Sequence, residues 1–326
     1  MSESIDFSFG EPEPLVGGWR DMATVHFDPF NDVYTPPLLP AGLDKLKRAN
    51  AVHGRCVSFK AGQMANVFVD TSLVPLRDYR RACDDLETFG NAYFLRVENV
   101  FGQLLNLRHV PALNMRVMKD GRFKYLRPHG QDDVIFEAGQ ILHASHYDTG
   151  QDRYGVPRWA GALNDVFLNS EATLFRRRYY GNGSHMGYIL YTTDPKMDKK
   201  KEAEIAEQVR RGKGVGNFRS MYINIPNGKD KAVQVIPVGD ISQKDEFERV
   251  KNISADDILI GHGVQPSLAA AKPDNTGGFG DIEKIERFYR RNDVPQLVYP
   301  FLELNDQLPS GKRFEFDFDK GMPAAV

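Results

Sequence analysis

Two long helical segments flanking a short β-rich stretch constrain this chain more than any other feature. Residues 157–182, PRWAGALNDVFLNSEATLFRRRYYGN, carry the strongest helical signature. Pro157 suits a first turn, and Gly181-Asn182-Gly183 supplies a stop. About 22 residues at ~1.5 Å per residue give a rod of roughly 33 Å. Arg176, Arg177 and Arg178 fall in its last turns, where exposed cations complement the helix dipole. Residues 243–261, QKDEFERVKNISADDILIG, form a second rod. Between them, 187–193, 219–225 and 232–238 have strand character, and 196–211 form a highly charged helix. This insert at 187–238 holds ten Lys and Arg against six Asp and Glu, an excess of four positive charges.

After the second rod, HGVQPSLAAAKPDNTGGFGD breaks the helix with Gly, Pro and Asn. Helical character resumes over 281–301, with Pro295 dividing or kinking the run. Near the end, Phe314, Phe316 and Phe318 alternate with Glu315, Asp317 and Asp319, which predicts a half-buried strand. The first half has its own organisation. Residues 1–42 are rich in Pro and Gly and predict an extended arm carrying Phe7, Phe9, Leu15 and Trp19. A helix is predicted over 43–69. Another over 76–90 sets Tyr79, Cys83 and Leu86 on one face. Short strands follow in NAYFLRVEN, LLNLRHV, NMRVMK, KYLRP and DVIFEAGQILHAS. The fold class is α+β.

A formal net charge of −2 does not mark the whole chain as a nucleic-acid binder, because phosphate neutralisation normally requires a basic protein. Cys56 and Cys83 are too few for a disulfide framework and read as reduced, buried thiols. The N-terminus is acidic and polar and no apolar run reaches membrane-spanning length, so neither a secretion signal nor a membrane anchor is expected. His143, His146 and Asp148 lie close in sequence, but histidines three apart on a strand point to opposite faces. They read as a strand end running into a polar turn rather than a metal site. GKGVGN and GGFGD are not phosphate-binding or dinucleotide fingerprints, and neither a G-x-S-x-G elbow nor an H-E-x-x-H motif occurs. Adjacent Asp256 and Asp257 point to different faces of a helix and read as a solvated surface. No cofactor and no catalytic residue is expected.

Several strings together resemble the portal proteins of tailed phages, in their PBSX-type, peduovirus-like branch. They are FGEPEPL at 9–15, FGNAYFLR at 89–96, YGVPRW at 154–159, and LNSEATLFRRRYYGNGSHMGYILYTTD at 168–194. DEFERVKNISADDIL at 245–259 and VQPSL followed by KPDNTGGFGDIEK at 264–284 complete the set. The resemblance implies a portal fold with an arm and wing over 1–158, a first stem helix over 159–186 and a clip over 187–238. It further implies a second stem helix over 239–262, a tunnel loop over 263–280, and a wing-side helix with a C-terminal strand over 281–326. A crown is expected to be short or absent.

By the same resemblance, the protein is a ring oligomer, typically a dodecamer, at the capsid portal vertex of the virion, assembled in the host cytoplasm. Double-stranded DNA passes through the ring, and the partners are the terminase, the head–tail adaptor and the major capsid protein. Lys272, Asn275, Thr276, Gly277, Gly278 and Phe279 are the expected channel-lining residues. Phe279 would anchor the loop base, and Lys272 would offer one weak phosphate contact per subunit. The clip's cations Lys199, Lys200, Lys201, Arg210 and Arg211 are the expected partner contacts. Two other classes remain open at this point. One is a different head–tail connector or adaptor ring, which should be shorter and lack the insert between two rods. The other is a nucleic-acid-processing enzyme, which would need a carboxylate set for metal binding.

Overall fold

The computed structural model describes residues 26–127, 131–150, 152–181, 188–192, 221–224, 233–237, 243–269 and 282–320. The chain divides into two compact units, Met1–Ala160 with Val264–Val326, and Gly161–Gly263. The first opens with β1 (Phe27–Asp28), β2 (Val33–Tyr34), α1 (Pro40–Ala49), α2 (Ala51–Val67) and α3 (Leu76–Phe89). It continues with β3 (Asn91–Glu98), β4 (Leu104–Val110), β5 (Met115–Met118), β6 (Phe123–Tyr125), β7 (Val134–Phe136) and β8 (Ile141–Ser145). The second unit holds α4 (Leu163–Gly181), β9 (Tyr188–Thr192), β10 (Met221–Asn224), β11 (Val233–Pro237) and α5 (Gln243–His262). The chain then returns to the first unit with α6 (Ile282–Asn292) and α7 (Val294–Glu303).

In the first unit, β4-β3-β8 form an antiparallel sheet, and β1-β2-β5-β6-β7 form a second one. Sequence alternation fails at the start of β3, where Asn91, Ala92, Tyr93 and Phe94 are all buried. Phe94 faces the helices and joins the main core, while Tyr93 packs with Met115, Ile141 and Phe123 on the other side. A strand covered on both faces reads as a continuous apolar run. The main core is an aromatic chain. Phe68 stacks on Tyr79 at 4.0 Å, Tyr79 meets Phe301 at 5.1 Å, and Phe301 stacks on Phe314 at 5.8 Å. Offset and edge-on pairs of this kind add about 0.5–1.5 kcal/mol each beyond their burial.

Helix α3 follows its sequence pattern: Tyr79, Cys83 and Leu86 are fully buried, and Gly90 ends the helix in a left-handed conformation at φ 74°. Both cysteines are free and buried, and burial pushes the Cys56 thiol up to about 11.

Three elements differ from the sequence reading. The helix expected over 43–69 is two helices, broken at Asn50. That residue takes an extended backbone, and its side chain accepts from the His53 N–H at 3.0 Å, capping α2. The run over 281–301 divides at Pro295 as expected: α6 and α7 part at Asp293, and Pro295 sits in the first turn of α7, where its missing N–H costs nothing. The helix expected from Pro157 begins as a tighter 3-10 turn over Arg158–Ala162. The Phe314–Asp319 alternation is real in burial but makes a single antiparallel bridge, Phe316 to Phe68. Val69 N–H donates to Glu315 O, and Asp317 N–H donates to Val67 O. One residue pair anchors the segment, because its partner is a helix end rather than a strand.

Candidate subunit-packing and DNA-channel elements

The second unit is built on α4 and α5, which run antiparallel. At one end, Gly261 packs so closely on Ala162 that a β-carbon at 261 would lie 2.3 Å from the Ala162 Cβ. Further along, the Asn169 side-chain amide donates to Lys251 O and to Ser254 Oγ, each at 3.0 Å. Asn169 and Ser254 are buried, so this polar contact sets the register between two rods that are otherwise joined by Val166, Ala172, Ile258 and Leu259. Asp165 on α4 is raised above the usual carboxylate range by burial and by the like charge of Asp257. Between the rods, β9 pairs with β10 in parallel and with β11 antiparallel.

Both units leave large apolar side chains exposed, among them Phe30, Val100, Phe101 and Tyr147 in the first. Ile253 and Ile260 are seven residues apart on α5, hence on one face, and are 50% and 77% exposed; Leu168 on α4 is 47% exposed. Sequence reasoning did not single them out, although the seven-residue spacing of two isoleucines was there to be read.

In the first unit, the chain from Tyr154 to Trp159 is clamped where it leaves toward the rods. The Tyr154 hydroxyl donates to Tyr34 O at 2.6 Å and accepts from the Val117 N–H at 2.8 Å. Asn91 holds both backbone groups of Gly155, accepting from its N–H at 2.7 Å and donating to its carbonyl at 2.8 Å. A β-carbon at 155 would lie 2.2 Å from Gly90 O, so the approach demands glycine. Trp159 is fully buried, and its indole N–H donates to Glu87 O at 2.7 Å. The Glu87 carboxylate is itself buried, 2.5 Å from Lys60 Nζ and 3.7 Å from His146 Nε2. Nothing in the sequence marks Lys60 as buried, since a lysine in a helix reads as surface.

The histidines separate as the strand geometry requires. His143 stacks on Tyr93 at 4.4 Å and shares a 2.9 Å hydrogen bond with Asn91 Oδ1, and burial lowers its pKa to about 4. His146 turns toward Glu87, and Asp148 caps its own turn by accepting from the Gly150 N–H. Among the described residues, no group of three His, Cys, Asp or Glu side chains is arranged to hold a metal ion. Asp256 is exposed and Asp257 half-buried. No helix among the described residues is long and apolar enough to cross a membrane.

The expected channel residues Lys272, Asn275, Thr276, Gly277, Gly278 and Phe279 lie outside the described residues, as do Lys199, Lys200, Lys201, Arg210 and Arg211. The stretches that bound the channel segment are described. Gly263 ends α5 at φ 64°, Val264 and Ala269 are buried, Leu268 packs on the main core of the first unit, and α6 begins at Ile282.

The phage portal protein family model matches residues 80–323. The chain is 38% identical over 312 residues to the probable portal protein of Haemophilus phage HP1, covering 94% of this chain and 90% of that protein. It is 32% identical over 302 residues to the probable portal protein of Escherichia phage P2, covering 93% and 88%. The fold is similar to that of an HK97 family phage portal protein from Corynebacterium diphtheriae. That match has a TM-score of 0.62 at 13% identity, over 86% of this chain and 96% of that one. It is also similar to a chain in the neck of a native gene transfer agent particle computed with C12 symmetry. There the TM-score is 0.60 at 16% identity, over 86% and 84%. On the length and level of this similarity, the chain belongs to the phage portal protein family.

Proposed function

We propose that this chain is the repeating subunit of a closed ring at the capsid vertex through which double-stranded DNA is packaged and ejected, and that its role is structural rather than catalytic. The observation that carries this reading is the pair of antiparallel rods with an uncovered aliphatic face at Ile253, Ile260 and Leu168. Burying such side chains contributes about 1.5–3 kcal/mol each, and a heterologous contact repeated around an axis closes into a ring. The C12 symmetry of the gene transfer agent neck, whose chain shares this fold, supports the same arrangement. In this reading 159–186 and 239–262 are the stem, and the cationic clip at 187–238 docks first the terminase and then the head–tail adaptor through Lys199, Lys200, Lys201, Arg210 and Arg211. The tunnel loop over 263–280 brings Lys272, Asn275, Thr276, Gly277, Gly278 and Phe279 to the channel lining. The N-terminal arm reaches a neighbouring subunit, and the outer body meets the major capsid protein.

Negative-stain imaging and native mass measurement of the purified protein test this. Annular particles of about twelve subunits are expected from the wild type. Ile253→Asp with Ile260→Asp should give folded monomers, and Gly277→Pro with Gly278→Pro should give intact rings that fail to package or retain DNA. A wild-type protein that stays monomeric at all concentrations overturns the reading.

A further inference from the structure

On the outward face of α3 and the neighbouring β4, three arginines gather around one buried carboxylate. Asp78 is 6% exposed. Its Oδ1 lies 3.4 Å from Arg77 Nε and 4.0 Å from Arg81 Nη1, and its Oδ2 lies 3.4 Å from Arg108 Nη1. The arginine side chains are 71%, 59% and 49% exposed in the same order. Arg80, between them on the helix, is exposed and makes no ion pair among the described residues. We propose that Arg77, Arg80, Arg81 and Arg108 form a docking surface for the phosphate backbone of double-stranded DNA, separate from the residues assigned to the channel.

Three features of the geometry support this. First, the pairing is loose. Charge-assisted hydrogen bonds normally close to about 2.7–2.9 Å. Elsewhere in this molecule Arg122 meets Asp120 at 2.8 Å, and Arg290 meets Glu286 at 2.9 Å. The cluster's longer contacts leave guanidinium donors turned outward. Asp78 gathers these arginines without saturating them, since each guanidinium has five N–H donors and one carboxylate is shared among three. Second, the acids further along α3 are engaged elsewhere. Asp84 pairs with Lys47 at 2.5 Å, and Asp85 takes His109 and the Ala112 N–H, each at 2.8 Å. The local charge therefore stays positive on a chain whose net charge is −2. Third, Asp78 is the acid that complements the dipole at the start of α3, while its last turn holds no basic residue and its arginines sit in the early turns, where the dipole disfavours them. Their placement does not serve the helix, so a ligand is the reason to hold it.

The chemistry that fits is a repeating polyanion. Residues three and four apart on a helix lie about 5–6 Å from each other at Cβ. Arg77, Arg80 and Arg81 thus present a short row of forked donors, and Arg108 adds a fourth from the strand beside them. Contacts to phosphate need no base sequence and no pocket, which suits an open surface.

The test uses the full chain and a linear duplex of about 30 base pairs, with binding followed by fluorescence anisotropy from about 50 to about 200 mM salt. Four phosphate contacts contribute a slope of about −3.6 in log affinity against log salt, a loss of roughly 150-fold across that range. Arg80→Gln, which breaks no ion pair, should lower the slope by about 0.9. Arg77→Gln with Arg80→Gln and Arg81→Gln should lower it by about 2.7, and lysine at the same positions should restore most of it. Thermal melting checks that each variant is folded, and the single Arg80 variant decides if the triple variant is not. Wild-type slopes in Arg80→Gln and in a folded triple variant overturn the assignment. So does a triple variant that binds duplex normally but no longer assembles, because the arginines would then be a contact for protein. Failure of the ring reading is distinguishable: a monomeric chain with an arginine-dependent slope keeps this inference and removes the other.

Discussion

Replacing Lys60 by methionine would show whether buried charge holds the segment from which the first rod departs. Lys60 and Glu87 are 2% and 1% exposed and 2.5 Å apart. Without the ammonium, the carboxylate is left in the interior with His146 at 3.7 Å. Breaking one partner of a buried pair costs about 3–5 kcal/mol, whereas replacing both by apolar groups of similar volume is close to neutral. Lys60→Met alone should therefore lower the melting temperature by roughly 6–20 °C, at about 2–4 °C per kcal/mol. Lys60→Met combined with Glu87→Leu should recover most of that loss. Trp159 reports the event directly, because its indole N–H is bonded to Glu87 O. A Trp19→Phe background isolates its fluorescence during unfolding. The pair also fixes a pH window. Burial alone would raise the Glu87 carboxyl, but Lys60 and His146 together more than offset this and hold it below its ordinary value of 4.5. A depressed folded-state value means the contribution is complete above about pH 4.5 and fades as the pH falls below it. A single variant within about 1 kcal/mol of wild type, or a double variant no more stable than the single, would refute this reasoning.

Two further outcomes follow from the packing. Burial lowers His143 from 6.5 to about 4, so its contribution to stability is present above pH 6.5 and is lost between there and about pH 4. The loss is worth roughly 3 kcal/mol; His143→Phe, which keeps a ring against Tyr93, should flatten the stability–pH curve by that amount, and an unchanged curve would sink the idea. Gly261→Ala should force α4 and α5 apart and cost about 1–3 kcal/mol by chemical denaturation, with Ala162→Gly restoring most of it. Absence of that rescue would show that the close approach at this end does not limit the packing.

The sequence exposes what is periodic. The helix carrying Tyr79, Cys83 and Leu86 and both rods stand at their expected places because their helical signals extend over several turns, and the strands around NAYFLRVEN and LLNLRHV stand at theirs because β-branched and aromatic residues run between Gly, Asn and Pro. It hides what depends on one residue or on a distant partner. Asn50 interrupts a continuous helical pattern because its side chain prefers to cap. The Phe314–Asp319 alternation could not announce that its neighbour is a helix end offering a single bridge. Lys60 in a helix and Asp78 beside arginines look like ordinary surface charge, and only three-dimensional proximity reveals one as interior and the other as the centre of a cluster. The exposure of Ile253 and Ile260 is likewise hidden, since isolated isoleucines on a charged helix resemble core positions.

The pairing of β9 with β11 has a consequence for how such a molecule can diversify. Tyr188 lies opposite Pro237 and Thr192 opposite Val233, so the first and last strands of the insert run side by side in opposite directions. Adjacent strands stand about 4.8 Å apart. The excursion from the rods therefore begins and ends through a narrow neck, and the contact of Asn169 with Ser254 does not involve it. Material grafted beyond that neck, longer or shorter or borrowed from another lineage, puts no strain on the helices below. The same two rods can carry different heads while the scaffold keeps its register.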